Sequence, residues 1–368
     1  MDVTLIAEQL GARVPGGTGR YTEELACGLA AAVPVRGIVG RDGPWTDRVK
    51  SAGVTIDSLN LPGPVLARLW ERGLPPRVGA GDIAHAPTLL VPPVKAPLPL
   101  VVTIHDVVPW THPETLTSRG VRFHRTMASR AAAGAAAIIT PTEAVAEQVR
   151  RLVRPRGAVR AIPLGLTPLA LPANAADRRQ ALGIGTHPYA LFVGTTEPRK
   201  GLDVLLRAMS DPELEDLHLV IVGATGWGRV DLPTLAEDLG ISARLHVVGR
   251  VDDPDLAALY AAARVLVMPS RAEGFGIPVI EGMAHGTPVV TSDDPALVET
   301  GAGHTLVATV GDPIGLADAL ATAVAGGEDV RRNVAAGRAH ALSLTWASAV
   351  AGTLEVYSDV LARASSAP

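Results

Sequence analysis

The segment from Ala272 to Gly282 contains residue types suited to binding a polar, negatively charged ligand. Two carboxylates, Glu273 and Glu281, flank two glycines and a proline. Glycine lets the backbone approach a ligand closely, and Pro278 fits the first turn of a helix, so the amides after Gly276 can bind an anion. The two carboxylates can accept hydrogen bonds, one from a sugar and the other from a ribose. Two unrelated surface glutamates are the alternative.

A second segment, Gly194 to Gly201, offers positive charge. It contains Arg199 and Lys200 between a predicted strand and a predicted helix, which would place both cations beyond the end of the strand. Fixed cations of this kind suit a diphosphate. The chain has 30 Arg and only 3 Lys, so a lysine in this loop indicates a specific need. A solvated basic turn is the alternative.

A glycine-rich loop, Pro15 to Tyr21, follows the first predicted strand and leads into a helix. Gly16 and Gly17 would let backbone amides approach an anion at the start of that helix, where the helix dipole favours negative charge. The dinucleotide-binding fingerprint is absent, because no G-x-G-x-x-G follows the strand. An ordinary strand-to-helix turn is the alternative.

His105 and Asp106 end the predicted strand that starts at Leu100. A histidine at the carboxyl end of a parallel strand lies where such sheets bind ligands, and it can hydrogen-bond a sugar hydroxyl or a developing charge. His85 has a similar place after a strand and is the weaker candidate. A structural histidine in a loop is the alternative.

We expect β-strands to position these residues, because each candidate follows a short apolar run. Such runs alternate with amphipathic helical stretches in both halves of the chain, which is typical of parallel sheets covered by helices. The predicted strands are Val3–Ala7, Val35–Val39, Asp82–Ala86, Leu100–His105, Ala137–Thr140, Tyr189–Gly194, His218–Gly223, Leu245–Gly249, Val265–Met268, Pro288–Thr291 and His304–Val307. The predicted helices include Thr18–Ala32, Ser118–Ala133, Thr142–Leu152 and a last segment from Thr345 to about Ala364.

The chain has 368 residues, and one hydrophobic core usually stops growing at about 250–300. A Pro/Ala-rich stretch from Ile162 to Asn174 predicts a linker. We therefore expect an α/β protein of two Rossmann-like parallel-sheet domains, residues 1–170 and 175–345, that face each other across a cleft. Residues 1–170 have a net charge of +6 and residues 171–368 of −10, which indicates different electrostatic partners unless the charge drifts by chance.

Composition excludes several classes of protein. With 47% hydrophobic and 19% charged residues, the chain is neither disordered nor collagen-like. The single cysteine, Cys27, cannot form an intrachain disulfide, which fits a reducing cytoplasm. The N-terminus lacks a signal-peptide pattern, and Ala131–Ile139 is far shorter than the ~20 residues that span a bilayer. We expect a cytoplasmic protein with no nucleic-acid partner.

In these motifs the sequence resembles the retaining glycosyltransferases of family 4, which have the GT-B fold. The likeness covers nearly the whole chain, and its order and spacing are specific. Besides the glycine-rich loop and the His-Asp pair, it rests on Glu197-Pro-Arg-Lys200, on Gly223 with the Gly226-Trp-Gly228 loop, on Gly249-Arg250 and on the E-x7-E spacing of Glu273 and Glu281. The resemblance implies that the first domain binds an acceptor and the second a nucleotide-sugar. It also implies that a final helix, residues 346–364, packs back on the first domain.

The resemblance also implies roles for single residues. Lys200 would grip the diphosphate, Glu273 would hold donor-sugar hydroxyls, and Glu281 would hold the ribose. His105 would contact the transferred sugar near its reacting face. Arg199 would supply the second cation, because Thr195 stands where many members of the family have arginine. The other donor-side candidates are Gly16, Gly17, Gly223, Gly249, Arg250, Gly276 and Ile277, and Asp106 is the acceptor-side candidate.

The motifs are most similar to those of mannosyltransferases that use GDP-mannose in polysaccharide and glycolipid assembly. Because no residue is an evident nucleophile, the resemblance favours front-face transfer, in which cations and helix-end amides stabilise the departing diphosphate. No Asp-x-Asp cluster stands at the end of a predicted strand to hold a divalent ion, so we expect no metal cofactor. A sugar-nucleotide epimerase or hydrolase of the same fold, or a non-catalytic nucleotide-sugar-binding module, is the alternative function.

The expected acceptor is a glycan or a lipid-linked hydroxyl. Residues 119–160 carry nine arginines against two glutamates, a net charge of +7. An anionic membrane surface attracts such residues at roughly 1 kcal/mol each, so they predict peripheral, salt-sensitive binding at the inner face of the cell membrane. Arginines that are merely solvated, or paired with the acidic second half, are the alternative.

Overall fold

The structure, a computed structural model, describes residues 1–12, 16–226, 228 and 231–366. In it the chain divides into two compact units. The first consists of Met1–Pro113, Thr117–Gly165 and the residues from Thr345 onward, and the second of Glu114–Leu116 and Leu166–Leu344. The chain passes from the first unit to the second within the Pro/Ala-rich stretch from Ile162 to Asn174, which forms no helix or strand.

The first unit is built on a sheet of seven parallel strands. Its strands are β1 (Val3–Ile6), β2 (Val35–Val39), β3 (Thr55–Ser58), β4 (Ile83–Ala86), β5 (Leu100–Thr103), β6 (Ala137–Thr140) and β7 (Ala158–Ala161). The helices between them are α1 (Gly16–Ala30), α2 (Asp47–Ser51), α3 (Gly63–Glu71), α4 (Val108–Thr111), α5 (Ser118–Gly134) and α6 (Glu143–Leu152). The strand order is β3-β2-β1-β4-β5-β6-β7.

The second unit repeats this plan with six parallel strands in the order β10-β9-β8-β11-β12-β13. These strands are β8 (Tyr189–Val193), β9 (His218–Val222), β10 (Leu245–Gly249), β11 (Val265–Met268), β12 (Val289–Ser292) and β13 (Leu306–Ala308). The helices are α7 (Ala175–Ala181), α8 (Leu202–Ala208), α9 (Leu232–Asp238), α10 (Asp253–Ala262), α11 (Ile277–Ala284), α12 (Pro295–Gly301), α13 (Pro313–Ala325) and α14 (Glu328–Ser343).

A last helix, α15 (Trp346–Ser366), belongs to the first unit and packs against α1. Its Val350 packs closely against Gly28 on α1. A Cβ atom on Gly28 would stand 2.5 Å from Cγ2 of Val350. Its Tyr357 is fully buried, with the hydroxyl 2.6 Å from Nδ1 of His85 on β4. The helix is therefore anchored to the first sheet by both packing and a hydrogen bond.

All the predicted strands form, and their ends differ from the prediction by at most two residues. Central strands such as β1 and β11 are buried along their whole length, because helices cover both faces of a parallel sheet, and this produces continuous apolar runs. The edge strands β3 and β7 were not predicted. Their sequences, Thr-Ile-Asp-Ser and Ala-Val-Arg-Ala, are only partly buried and contain no apolar run.

Each sheet has one place where the strand order reverses. In the first unit this switch point lies between β1 and β4, and in the second between β8 and β11. Connections leave such neighbouring strands in opposite directions, which opens a crevice at their carboxyl ends, and open α/β sheets bind ligands there. The loops after these four strands are therefore where a functional site is expected in each unit.

Candidate functional site

The loops that follow β8 and β11 bring two cationic side chains into contact with one carboxylate. Lys200 Nζ lies 2.5 Å from Glu273 Oε1, and Arg199 Nη1 lies 2.8 Å from Glu273 Oε2. Arg199 and Lys200 stand in a 3₁₀ turn just before α8, and Glu273 stands just before α11. Three of the predicted site residues therefore meet at the switch point of the second sheet.

Because the cluster is buried, its charges interact strongly with one another. The Glu273 side chain is 8% exposed, and its Oε1 also accepts a hydrogen bond from Ser270 Oγ at 2.7 Å. Burial disfavours the carboxylate, but Lys200 and Arg199 outweigh it and lower the pKa of Glu273 to about 2. Burial lowers the pKa of Lys200 below its ordinary value, against the opposing attraction of Glu273. The carboxylate is thus ionised at every physiological pH.

Arg199 is held on three sides. Besides Glu273, its guanidinium donates to Glu197 Oε1 at 2.7 Å and to the carbonyl oxygen of Ala272 at 2.8 Å. The side chain is 17% exposed. An arginine at this position therefore lies on the same carboxylate as Lys200, although Thr195 occupies the place of the family's usual arginine.

The start of α11 has the geometry that the glycines predicted. Gly276 caps the helix with a φ of +91°, a conformation that favours glycine, and Ile277 and Pro278 form its first turn. One turn later, Glu281 is 2% exposed and its Oε2 accepts a hydrogen bond of 2.7 Å from the hydroxyl of Tyr260. The two glutamates of the motif thus differ in setting, because Glu273 contacts cations and Glu281 contacts a phenol.

Glycines also shape the loops after β9 and β10. A Cβ on Gly223 would stand 2.0 Å from the carbonyl oxygen of Gly194, so only glycine lets the loop after β9 approach the loop after β8 so closely. Gly249 has a φ of +79°, and its carbonyl accepts a hydrogen bond of 2.8 Å from the Gly223 amide. Arg250 follows it and is exposed. Trp227, between Gly226 and Gly228, lies outside the described residues.

In the first unit, Gly16 begins α1 with a φ of +58°, followed by Gly17. Pro15 lies outside the described residues. His105 follows β5, and its Nε2 lies 2.8 Å from the carbonyl oxygen of Pro87, after β4. Its ring meets the ring of Tyr21 edge-on at 4.8 Å. Gly16, Gly17 and His105 therefore follow β1 and β5, on either side of the neighbouring strand β4.

The hydrogen bond to Pro87 fixes the tautomer of His105. A carbonyl only accepts, so Nε2 carries the proton and Nδ1 is the acceptor of the neutral ring. Burial lowers the pKa of His105, against smaller opposing effects of the Pro87 carbonyl and Asp106, which favours this neutral form. The ring can therefore accept a hydrogen bond from a hydroxyl through Nδ1.

The other two polar residues near His105 have structural partners. Asp106 Oδ1 accepts a hydrogen bond of 3.1 Å from the Val108 amide, at the start of α4. His85 is fully buried, with Nε2 2.8 Å from Thr103 Oγ1 and Nδ1 on the hydroxyl of Tyr357. Burial lowers the pKa of His85 to about 3, so it stays uncharged. His85 is thus a core histidine within β4, and it neither follows a strand nor lies in a loop.

Three residues that were not predicted as site residues support Glu273. Ser270 donates to its carboxylate, and Ser292 Oγ in turn donates to the Ser270 carbonyl at 2.6 Å. Asp294 is 7% exposed, caps α12 through the amides of Ala296 and Leu297, and also accepts a hydrogen bond from the Glu273 amide. Burial and nearby Glu273 raise the pKa of Asp294 to about 6. The available signal for each was a polar residue at the end of a buried strand or two positions after it, β11 for Ser270 and β12 for Ser292 and Asp294.

One Asp-x-Asp sequence occurs a few residues after β10, at Asp253 and Asp255. Asp255 is bound to Arg178, and the neighbouring Asp252 caps α10 through the Asp255 amide at 2.8 Å. Across the described residues, no group of three or more His, Cys, Asp or Glu side chains is arranged to hold a metal ion.

Comparison with known proteins gives the family. The glycosyl transferase 4-like domain matches residues 16–165, and the glycosyl transferases group 1 domain matches residues 174–340. The O-antigen chain mannosyltransferase B of Escherichia coli is 31% identical over 266 residues, which cover 70% of this chain and 69% of that protein. The chain belongs to glycosyltransferase family 4. The Arg199–Lys200–Glu273 cluster of this glycosyltransferase lies within the group 1 match, and His105 lies within the 4-like match.

Other relatives of this glycosyltransferase are matched over part of their length. The D-inositol 3-phosphate glycosyltransferase of Nocardia farcinica is 36% identical over 234 residues, 59% of this chain and 51% of that protein. The chain spans about half the length of this relative and of others with the same name.

Solved structures show that the glycosyltransferase has the GT-B fold. Sucrose-phosphate synthase of Thermosynechococcus elongatus has a TM-score of 0.76 at 21% identity, with 99% of this chain and all of that chain covered. Anabaena HepE in complex with UDP and glucose has a TM-score of 0.74 at 20% identity, with 98% and 100% covered. The predicted fold class, an α/β protein with two parallel-sheet domains of the GT-B type, is confirmed.

Proposed function

We propose that this glycosyltransferase moves a mannosyl group from GDP-mannose to a hydroxyl of a glycan or lipid-linked acceptor, with retention of the anomeric configuration. The observation that carries the proposal is the placement of Arg199 and Lys200 on one buried carboxylate at the switch point of the second unit. A sugar leaves a nucleoside diphosphate as negative charge develops on the phosphate. Fixed cations in a partly dry site stabilise that charge strongly.

In this proposal the second unit binds the donor and the first unit the acceptor. Lys200 and Arg199 bind the diphosphate, with help from the amides at the start of α11. Glu273 accepts hydrogen bonds from donor-sugar hydroxyls, because it is ionised and has no proton to donate. Glu281 binds the ribose.

His105 acts on the transferred sugar in its neutral form. Its Nε2 proton is bound to the Pro87 carbonyl, so Nδ1 accepts from a sugar hydroxyl and orients the ring of the donor. His105 therefore serves as a positioning acceptor and not as a general acid. Departure of the diphosphate and attack by the acceptor hydroxyl occur on the same face of the sugar. The leaving phosphate takes the proton of the attacking hydroxyl.

The name of the E. coli relative supports the mannosyl donor, since that protein is an O-antigen chain mannosyltransferase. The test is to incubate the protein with GDP-mannose, UDP-glucose and ADP-glucose, with and without a mannosylated acceptor. We expect product only with GDP-mannose and acceptor, and an unchanged anomeric configuration by NMR. An inverted product would overturn retention. Consumption of donor without acceptor would favour a hydrolase or epimerase.

We also propose that transfer needs no divalent metal, because Arg199 and Lys200 supply the charge that a metal would otherwise bring to the diphosphate. Treatment with EDTA is expected to leave the rate unchanged. Activity that EDTA abolishes and Mn²⁺ restores would contradict this proposal, while leaving glycosyl transfer itself intact.

We further propose that the protein works at the inner face of the cell membrane, on a lipid-linked acceptor. No helix among the described residues is long and apolar enough to cross a membrane. Arg119 and Arg122 are exposed near the start of α5 and are suited to anionic lipid, and the Glu71 carboxylate 3.5 Å from Arg119 leaves that side chain more than half exposed. Arg125 and Arg130 instead donate to backbone carbonyl oxygens of Pro109 and Trp70, which makes them structural.

A further inference from the structure

Arg271 ties together the two loops that carry the site. It stands between Ser270 and Ala272 in the loop after β11, while its side chain reaches the loop after β8. There Nη1 donates to the Pro198 carbonyl oxygen at 2.7 Å. The Arg271 amide also donates to the Arg199 carbonyl oxygen at 2.7 Å. Its backbone and side chain thus both hold the turn from which the two cations project.

The same guanidinium binds Asp203 in a bidentate manner. Nη1 lies 2.9 Å from Oδ1 of the aspartate, and Nη2 lies 2.8 Å from Oδ2. Asp203 stands in the first turn of α8, three residues after Lys200. Partial burial disfavours its charge, but the hydrogen bonds and charge of Arg271 outweigh this and hold the pKa of Asp203 below its ordinary value. The pair is therefore ionised and geometrically fixed.

These contacts fix both ends of one short segment. Pro198 lies just before Arg199, and Asp203 lies just after the turn that contains Lys200. A single planar fork therefore holds the Pro198 carbonyl before the two cations and the Asp203 carboxylate after them. The loops are also packed backbone to backbone, because a Cβ on Gly201 would stand 2.2 Å from the carbonyl oxygen of Pro269.

We propose that Arg271 and Asp203 are positioning residues that set where Arg199 and Lys200 stand relative to Glu273, and so tune the site for the diphosphate part of its ligand. This inference rests on the proposed function. Neither residue is placed to touch the ligand itself, because the fork of Arg271 is already occupied by Pro198 and Asp203. Their effect is therefore specific to the diphosphate and leaves recognition of the base and ribose unchanged.

The test compares three variants. Arg271→Ala removes the fork, and Arg271→Lys keeps a positive charge but cannot make the bidentate pair and the Pro198 contact together. Arg207→Ala is the matched control. Arg207 Nη1 also lies near Asp203 Oδ2, at 3.5 Å, but its side chain is half exposed and its hydrogen bonds go to Asp203, within α8 itself. Thermal unfolding of all three variants shows whether each one is folded.

The decisive measurement is the affinity for GDP and UDP by calorimetry, compared with that for guanosine and uridine by NMR titration. We expect Arg271→Ala to weaken binding of the nucleoside diphosphate by about tenfold or more and to leave nucleoside binding unchanged. The diphosphate affinity of Arg271→Lys is expected to lie between those of Arg271→Ala and the wild type. Arg207→Ala is expected to bind as tightly as the wild type. Equal loss of both ligands would indicate a merely structural role. Wild-type diphosphate affinity in either Arg271 variant would overturn the proposal.

Hydrogen–deuterium exchange separates this inference from the proposed function, because it needs no ligand. We expect faster exchange of the Lys200 and Gly201 amides in Arg271→Ala, since both amides are hydrogen-bonded within the turn that the fork holds. Unchanged exchange there would contradict the positioning role. If the wild type binds no nucleoside diphosphate, the proposed function fails, and the exchange result alone then decides whether Arg271 fixes the turn.

Discussion

Lys200 and Glu273 form a buried ion pair, with Nζ 2.5 Å from Oε1, that joins the loops after β8 and β11. The carboxylate also neutralises Arg199, so both cations of the proposed phosphate site already have a negative partner. A diphosphate that binds there has to compete with Glu273 for these charges. We therefore expect the glutamate to weaken binding of the phosphate even if it assists transfer of the sugar.

The first prediction separates these two effects of Glu273. Glu273→Gln keeps the shape of the side chain but releases the charge of Lys200 and Arg199, so we expect GDP to bind as tightly as in the wild type or more tightly. Transfer should nevertheless slow by about tenfold or more, because the sugar loses an ionised acceptor. Calorimetry with GDP and initial rates with GDP-mannose give the two quantities.

Glu281→Gln is the comparison for this experiment. Glu281 accepts a hydrogen bond from Tyr260 and is proposed to bind the ribose, which takes no part in the bond that breaks, so the change should raise KM for the donor with little effect on kcat. Lys200→Ala should damage both parameters. Weaker GDP binding in Glu273→Gln would show that the carboxylate supports the phosphate site.

The second prediction concerns the protonation of His105. Because Nε2 donates to Pro87 and burial lowers the pKa, the ring should be the neutral Nε2–H tautomer at pH 7. Nitrogen NMR of histidine-labelled protein, with His105→Asn to assign the signal, measures the tautomer and its titration. A midpoint below 6.5 is expected. A ring that is charged at pH 7 would contradict the acceptor role.

The third prediction concerns the pH dependence of stability through Asp294. Its pKa in the folded protein is about 6, against 3.8 ordinarily, so the folded state retains a proton that the unfolded state releases in this range. Stability therefore falls as pH rises from about 4 to 6, by at most about 3 kcal/mol. Asp294→Asn keeps the helix cap and removes this cost.

The stability difference between Asp294→Asn and the wild type is measured by urea unfolding of the second unit at several pH values. The variant should be more stable above pH 6, and the advantage should disappear below about pH 4. Glu273 has the opposite dependence, since its lowered pKa adds stability that is lost at acid pH, but it is present in both proteins. A difference that does not change with pH would refute the assignment.

The fourth prediction tests the anchor of the last helix. Tyr357→Phe removes the hydroxyl that contacts His85 and leaves a buried ring nitrogen without this partner, at a cost of about 1–3 kcal/mol. Hydrogen exchange in α15 and β4 should rise, while exchange in the second unit stays unchanged. Faster exchange in both units to the same extent would indicate a global effect instead.

The fifth prediction concerns the membrane. Arg119→Glu/Arg122→Glu should abolish sedimentation with anionic vesicles at low salt, because both side chains are exposed. Arg332→Glu/Arg338→Glu, on α14 in the second unit, makes the same change of charge and should bind like the wild type. Arg125 is left intact, because it donates to Pro109. Equal binding to neutral vesicles would favour a wholly cytosolic acceptor.

The central strands and the positions of the candidate site residues could be predicted from the sequence. Buried parallel strands need apolar residues on both faces, so Val265–Met268 and the other central strands appear as runs that can be read directly. The position of each polar candidate after such a run already placed Lys200 and Glu273 at the carboxyl ends of strands. The family resemblance rested on the same residues, and the comparisons confirm it.

The tertiary structure alone decided which of these residues meet. The strand order places β8 beside β11. Glu273 therefore forms an ion pair with Lys200, although the two residues are 73 positions apart in the sequence. The tertiary structure also buries His85 in the core and fixes the tautomer of His105 through Pro87. It places the side chain of Arg271 so that it links two loops. Such contacts depend on the register and crossover of distant strands. Local patterns of apolar residues specify where a strand lies but not which strand becomes its neighbour.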